Sequence, residues 1–281
     1  MLRLTVREAL QEGGRTLADA GCETPRIDAE LLLAHALGAS RTGLFADADR
    51  SLSDEEQRRY QELVGRRAAR EPVAYVLGEW GFRGLTLRVD PRVLVPRPET
   101  EVVVERALER LREHPEPIVL DVGTGSGAIA LAVASEHPGA RVVATDISAD
   151  ALAVAADNRA ALGLGDRVEL VLGHVVAGLR GPFDLVVSNP PYVTAEEFEM
   201  LQPEIRLHEP REALVGRGQT ASVARRGFDV LRGDGWLVLE SSDTRAGEAA
   251  AELRAIGYED VAVFSDLTGR HRGVEGRRPQ G

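Results

Sequence analysis

From Ile118 to Glu240 the chain alternates short β-branched runs with helix-forming segments, and that alternation narrows the fold to one class. Expected strands fall at 118–122, 142–146, 168–172, 183–188 and 235–240, with helices over 128–135, 149–161 and near 221–231. A helix near 244–256 and strands around 261–264 and 273–277 complete the pattern. Apolar strands of this kind are buried on both sides. Alternation at this length therefore calls for a parallel sheet covered on both faces, a doubly wound α/β domain.

The chain before it reads as helical. Thr5-Val6-Arg7-Glu8 and Ser53-Asp54-Glu55-Glu56 both have capping-box spacing, a cap being worth about 1 kcal/mol. The first helix is expected to be weakened, even broken, at Gly13-Gly14. A second follows Pro25 and ends near Gly38, and a third runs from Ser53 to about Arg70. These make a small amino-terminal helical bundle over residues 1–72. Trp80, Phe82, Leu85, Leu87 and Val89 suggest two strands about Arg83-Gly84, a β-hairpin linker within 73–95, leaving 96–281 for the sheet domain.

In open α/β sheets, ligands bind outside the carboxyl ends of the strands, where strand order reverses. The first expected strand ends in Asp121-Val122-Gly123-Thr124-Gly125-Ser126-Gly127 and leads straight into a helix. Asp146 closes the next, about 20 residues further on, where an acid binds ribose hydroxyls in nucleotide-binding folds. The glycine spacing is not that of pyrophosphate binders, and an acid before the first glycine suits a cofactor bearing an amino group. This favours S-adenosylmethionine over NAD. The strand at 183–188 runs into Asn189-Pro190-Pro191-Tyr192. Prolines fix φ and donate no hydrogen bond, so the backbone leaves the sheet as a stiff turn with bare carbonyls. Such a turn sets an amide side chain and a backbone carbonyl together, two acceptors suited to a planar NH2 group.

These motifs resemble the S-adenosylmethionine-dependent amino-methyltransferases. Within them, the chain resembles the HemK/PrmC family of release-factor glutamine methyltransferases. The likeness rests on Glu71-Pro72-Val73-Ala74-Tyr75, Val95-Pro96-Arg97-Pro98-Glu99-Thr100-Glu101, His208-Glu209-Pro210-Arg211 and Asp266-Leu267-Thr268-Gly269-Arg270, with Thr24–Leu32 near the start. The resemblance implies a Rossmann-like, doubly wound, seven-stranded methyltransferase sheet, mostly parallel with an antiparallel carboxy-terminal edge. It also implies N5-methylation of the glutamine in the Gly-Gly-Gln motif of class-1 peptide chain release factors. Catalysis would fall to Asn189, Pro190 and Tyr192, and substrate contact to Asn189, Pro190, Pro191 and Tyr192. The cofactor would meet Asp121, Gly123, Thr124, Gly125, Ser126, Gly127, Asp146, His174 and Asn189, with Asp121 or a neighbouring acid beside the methionine amino group. Two stretches depart from the family pattern: Gly216-Arg217-Gly218-Gln219-Thr220 and Gly173-His174-Val175.

An amide nitrogen is a poor nucleophile, because its lone pair is delocalised into the carbonyl. No ordinary side chain removes its proton beforehand, so the site needs acceptors and alignment, not a strong base. The Asn189 oxygen and the Pro190 carbonyl can accept the two N–H bonds while Tyr192 stacks on the amide and excludes water.

Composition limits the alternatives. The formal net charge of -11 argues against a broad nucleic-acid footprint, although the same Asn-Pro-Pro-Tyr turn also serves flipped bases. Methylation of a ribosomal-protein glutamine or of a base amino group, a NAD-dependent oxidoreductase, and a catalytically silent cofactor-binding module are the other readings. Cys22 is the single cysteine, the six histidines show no metal spacing, and no apolar run is long enough to span a bilayer. A cytoplasmic monomer without metal, membrane or direct nucleic-acid contact is expected. An amide pocket cannot by itself choose one glutamine in one protein, so the amino-terminal bundle is expected to dock the protein substrate.

Overall fold

A computed structural model describes residues 3–173, 181–216 and 218–281. The chain divides into two compact units, one of residues 1–78 with 202–208 and the other of residues 79–201 with 209–281.

The first unit is helical: α1 (Val6–Asp19), α2 (Pro25–Leu37), α3 (Arg41–Ala46), α4 (Asp54–Ala68) and α5 (Val73–Leu77). Both expected capping boxes form, Thr5 with Glu8 and Ser53 with Glu56. Leu17, Leu32, Leu33, Leu44 and Leu52 pack with Tyr60 and Val64 in its core. The helix expected to weaken at Gly13-Gly14 is unbroken. The glycine at 13 has a packing reason, since a Cβ on Gly13 would lie 1.9 Å from the Tyr60 hydroxyl oxygen, whereas one on Gly14 would meet nothing within 4 Å. Gly13 is thus the slot that admits a 3% exposed tyrosine. Residues 73–95, expected to form a hairpin linker, divide: α5 belongs to the first unit, and the hairpin to the second.

Gln202–His208 also belongs to the first unit and contains a short helix, Pro203–His208. Arg67, 5% exposed, donates to Asp28 Oδ2 at 2.7 Å and to Glu204 Oε1 at 2.8 Å, and Arg70 donates to Glu204 Oε2 at 2.5 Å. Charges this deeply buried persist only when paired.

In the second unit, β1 (Glu79–Phe82) and β2 (Leu85–Arg88) form the antiparallel hairpin. Then come α6 (Thr100–Leu111), β3 (Ile118–Val122), α7 (Ala128–Glu136), β4 (Arg141–Asp146), α8 (Ala149–Ala161), β5 (Val168–Leu172) and β6 (Phe183–Ser188). After a short helix at Ala195–Phe198, the chain continues with a longer helix at Gln219–Val230, then β7 (Leu231–Glu240), a helix at Ala246–Ile256, β8 (Glu259–Ser265) and β9 (His271–Arg277). The seven strands lie in the order β5-β4-β3-β6-β7-β9-β8, parallel except where β9 runs against both its neighbours. This is the doubly wound sheet with an antiparallel carboxy-terminal edge that the sequence leads one to expect.

Alternation along the strands separates two cores. Val119, Leu185, Val187 and Val238 face one, under α6 and α7. Leu120, Val186, Leu237 and Leu239 face the other, under the helices at Gln219–Val230 and Ala246–Ile256. Chain order reverses about β3, whose neighbours are β4 on one side and β6 on the other. The carboxyl ends of these three strands are Val122, Asp146 and Ser188, and they share one edge of the sheet.

Replacing Gly13 by Ala should lower the thermal midpoint, costing about 1–3 kcal/mol through overpacking against Tyr60. Gly14→Ala, one residue on, should raise stability by about 0.5–1 kcal/mol, because a helix gains when it loses a glycine. Thermal unfolding of the two variants checks this; equal shifts of the same sign would show that Tyr60 does not depend on Gly13.

Candidate active site

A cavity of about 330 Å³ opens at that edge of the second unit. It is lined by the glycine loop after β3, the end of β4, the turn after β6, the approach to α6, and residues 210–223 in part. Its lining is mainly apolar, with Val122, Ile129, Ile147 and Ala151 among the contributors. The charged contributors are Asp146, Arg92, Arg97 and Glu212.

The glycines of the loop do different jobs. Gly123 and Gly125 sit at φ +74° and +57°, where a side chain would be strained, and a Cβ on either would meet nothing within 4 Å. Their backbone is therefore open to close approach from the cavity, which both line together with Thr124 and Ser126. Gly127 does not line it. A Cβ there would stand 2.8 Å from Leu131 Cδ1 and 3.5 Å from Ala155 Cβ, so this glycine lets α7 start against α8.

Asp146 borders the cavity and holds the loop in place. Its Oδ2 accepts from Gly125 N at 2.9 Å and its Oδ1 from Ser148 N at 2.9 Å. Each carboxylate oxygen retains a further lone pair for a ligand hydroxyl. Asp121 requires a correction. The acid expected beside an amino group is 0% exposed and does not line the cavity. Its Oδ2 accepts from the Thr124 hydroxyl at 2.6 Å and from Ala130 N at 3.2 Å, while Oδ1 is buried with no hydrogen-bond partner among the described residues. Burial pushes its carboxyl up to about 7 despite those bonds. Asp121 braces the loop from behind. His174 lies outside the described residues.

Asn189, Pro190 and Pro191 all line the cavity. Asn189 Nδ2 donates to the Thr100 hydroxyl at 3.3 Å. Tyr192, expected to stack on a substrate, is not among the lining residues. Its hydroxyl donates to Glu240 Oε1 at 3.2 Å, and its carbonyl accepts from Arg245, which also pairs with Glu197. The turn is thus clamped on its outer side. Gly216 belongs to the stretch that departs from the family pattern, and it has a local reason: a Cβ there would lie 2.7 Å from the Pro191 carbonyl oxygen. Its nitrogen donates to Val193 O at 3.2 Å, which fastens this loop to the turn.

Three contributors escaped the sequence reading as site residues. Thr100 lines the cavity from the start of α6. Glu240, 2% exposed, ends β7 and accepts from the Thr100 hydroxyl at 2.6 Å. Arg97 is held by Glu209, whose Oε1 it reaches at 2.5 Å while Glu209 Oε2 accepts from Val95 N at 3.3 Å. Burial raises the Glu209 carboxyl even with Arg97 beside it. A signal existed for Glu240: an acid closing the apolar run Trp236-Leu237-Val238-Leu239 falls at the carboxyl edge, where ligands bind.

Comparison with known proteins adds to this geometry. Residues 8–78 match the PrmC N-terminal domain, and residues 103–232 match the Methyltransferase small domain. Solved structures with a similar fold include the hMettl16 catalytic domain in complex with the MAT2A 3′UTR hairpin 6, at 17% identity and a TM-score of 0.56, covering 82% of this chain and 84% of that one. Another is the T. thermophilus 16S rRNA N2 G1207 methyltransferase, at 18% identity and a TM-score of 0.52, covering 71% of this chain and 49% of that one. At these identities the likeness is one of fold. Sequence relatives are nearer. The Release factor glutamine methyltransferase of Deinococcus radiodurans is 42% identical, covering 99% of this chain and 100% of its own length. That of Caulobacter vibrioides is 41% identical, covering 98% and 97%. Likeness of this degree from end to end means that the chain belongs to the release factor glutamine methyltransferase family.

Proposed function

We propose that this protein transfers the methyl group of S-adenosylmethionine to the side-chain nitrogen of the Gly-Gly-Gln glutamine in class-1 peptide chain release factors. The observation that supports this most is the Asn189-Pro190-Pro191 turn, which borders the same cavity as the open glycine loop and Asp146. An amide-reading turn and a nucleoside-reading loop therefore serve one space. The acidic net charge of -11 and the end-to-end likeness to glutamine methyltransferases favour a protein amide over a nucleic-acid base.

The residues present fit the cofactor. Gly123 and Gly125 offer backbone that nothing crowds, Asp146 offers free lone pairs to ribose hydroxyls, and Ile147, Ile129 and Ala151 offer apolar surface to a base. When bound, S-adenosylmethionine supplies an electrophilic methyl group on a sulfonium sulfur. The protein's own part is acceptance and alignment. Asn189 Oδ1 and the Pro190 carbonyl receive the two amide hydrogens, which holds the nitrogen in place and stabilises the positive charge that grows on it. Among the described residues no donor within the protein occupies either oxygen. Tyr192 braces the turn through Glu240 and leaves the contact face to the prolines. Once the methyl has moved, the nitrogen's extra proton passes to water as the amide regains its conjugation.

The first unit contains no part of this machinery, and its role in this reading is to dock the release factor. It has a groove lined by Leu10, Leu44 and Phe45, with Phe45 53% exposed. An exposed apolar groove with a polar rim, here Arg7, Arg15, Arg26 and Glu30, is a surface suited to a protein contact.

Asp146→Ala should weaken S-adenosylmethionine binding by about 1.5–3 kcal/mol in titration calorimetry, the scale of charge-assisted hydrogen bonds. Normal affinity would remove Asp146 from the ribose site.

Asn189→Ala should leave cofactor affinity near that of the parent and cut methyl transfer to a release factor by roughly 10²–10³. Transfer of tritium from labelled cofactor to purified release factor measures it, and unchanged turnover would make the turn merely structural.

Phe45→Ser should raise KM for intact release factor about tenfold, the scale of one contact residue, while leaving the rate on a short Gly-Gly-Gln peptide unaltered. Such point variants test docking more cleanly than deletion of residues 1–70, which would strand Glu204, 7% exposed, without Arg67 and Arg70. Equal KM values would refute docking at this groove.

A further inference from the structure

Both oxygens of Glu240 are engaged by hydroxyls, Oε2 by Thr100 at 2.6 Å and Oε1 by Tyr192 at 3.2 Å. An ionised carboxylate has no hydrogen to give, so both hydroxyls are donors toward it. A hydroxyl has one hydrogen. Thr100 places its own on Glu240, and toward Asn189, 3.3 Å away, it can therefore only accept. The Asn189 atom that faces it must then be the amide nitrogen. An asparagine oxygen and nitrogen have nearly the same size, so packing alone leaves the flip open and the hydrogen-bond chain decides it. The Asn189 oxygen is consequently the atom turned away from Thr100, in a side chain that lines the cavity.

We propose that Glu240 is a positioning residue for methyl transfer: through the Thr100 hydroxyl, its carboxylate fixes the Asn189 amide with the oxygen available to the substrate. This rests on the reading above, in which the substrate is an amide that must donate to Asn189. Turned the other way, Asn189 would present NH2 to NH2, two donors facing each other.

The same chain responds to pH. Burial pushes the Glu240 carboxyl up to about 7, against the pull of the Thr100 and Tyr192 hydroxyls. The charged groups acting on it are Glu99 beside Thr100, which raises it further, and Arg272 on β9, which opposes and is itself paired with Asp266; Arg97 acts on Tyr192. Above about pH 7 the carboxylate is ionised and the chain runs as described. Below it, protonated Glu240 can donate to Thr100, whose hydrogen is then free for Asn189, where an oxygen now makes the better partner. The productive orientation is held at high pH and lost as pH falls.

The test measures kcat for release-factor methylation between pH 6 and 8, with cofactor titration as the check that each variant is folded. The parent enzyme should lose at least about tenfold from pH 8 to pH 6, Glu240 and Asp121 both lying near 7. Glu240→Gln should make that limb about tenfold shallower. Thr100→Val should lower kcat about tenfold with the cofactor affinity and the KM for release factor unchanged, and Thr100→Ser, which restores the hydroxyl, should recover the rate. A Thr100→Val enzyme with parental kcat, or a Glu240→Gln enzyme that keeps the acid limb as steep as the parent's, overturns the proposal. A second readout needs no substrate: the Asn189 side-chain amide signals in ¹⁵N NMR should shift with a midpoint near pH 7 in the parent and stay flat in Glu240→Gln. If they do so in a protein that fails to methylate release factors, the substrate reading falls and the positioning role stands; if they do not titrate in the parent, the positioning role falls.

Discussion

Parallel pairing of β3 with β4 on one side and β6 on the other places three strand ends on a single edge of the sheet. Each end turns away from the sheet in its own manner. The glycine loop after Val122 opens backbone, Asp146 stops β4 with a carboxylate, and the turn after Ser188 stops β6 with two prolines that cannot rejoin the ladder. None of these segments makes a site alone. The strand order makes them neighbours, and that order is in turn imposed by crossover helices that bury the two faces of the sheet.

Behind this edge the structure keeps two carboxyls out of water, Asp121 and Glu240, both raised to about 7 by burial. Each supports one side of the cavity. Asp121 ties Thr124 to the start of α7, and Glu240 ties Thr100 and Tyr192 about the proline turn. Groups of this kind are costly to bury unless their bonds are made. They hold rigidly the two segments whose own ligands must meet.

The fold was legible in the sequence because hydrophobic period and strand length leave little freedom once five apolar strands alternate with helices. That Asp146, Gly123, Gly125, Asn189 and Pro190 would meet at one cavity was legible for the same reason, since local chemistry fixes them at strand ends. The readings departed from the structure where a partner lies far along the chain, or where a motif gives a residue's place but not its direction. Gly13 reads locally as a helix breaker, yet its explanation is Tyr60. Gly127 reads as a cofactor glycine, yet it serves the contact with Leu131 and Ala155. Asp121 reads as a ligand because motifs give proximity and not direction, and its carboxylate turns inward to Thr124 and Ala130. Thr100 and Glu240, 140 residues apart, come together through strand order and helix placement, which no spacing rule encodes.

Arg67 and Glu204 are separated by 137 residues, although both belong to the helical unit at the front of the chain. During synthesis this unit therefore leaves the ribosome lacking one of its buried anions. At about 5–20 residues per second, Arg67 waits roughly 7–27 s for its second carboxylate to be made, and in that interval Asp28 is the carboxylate at hand. The whole glycine loop, the proline turn and four of the five parallel strands have been translated by then. The amino-terminal unit is begun first, yet it closes only after most of the other unit has been made.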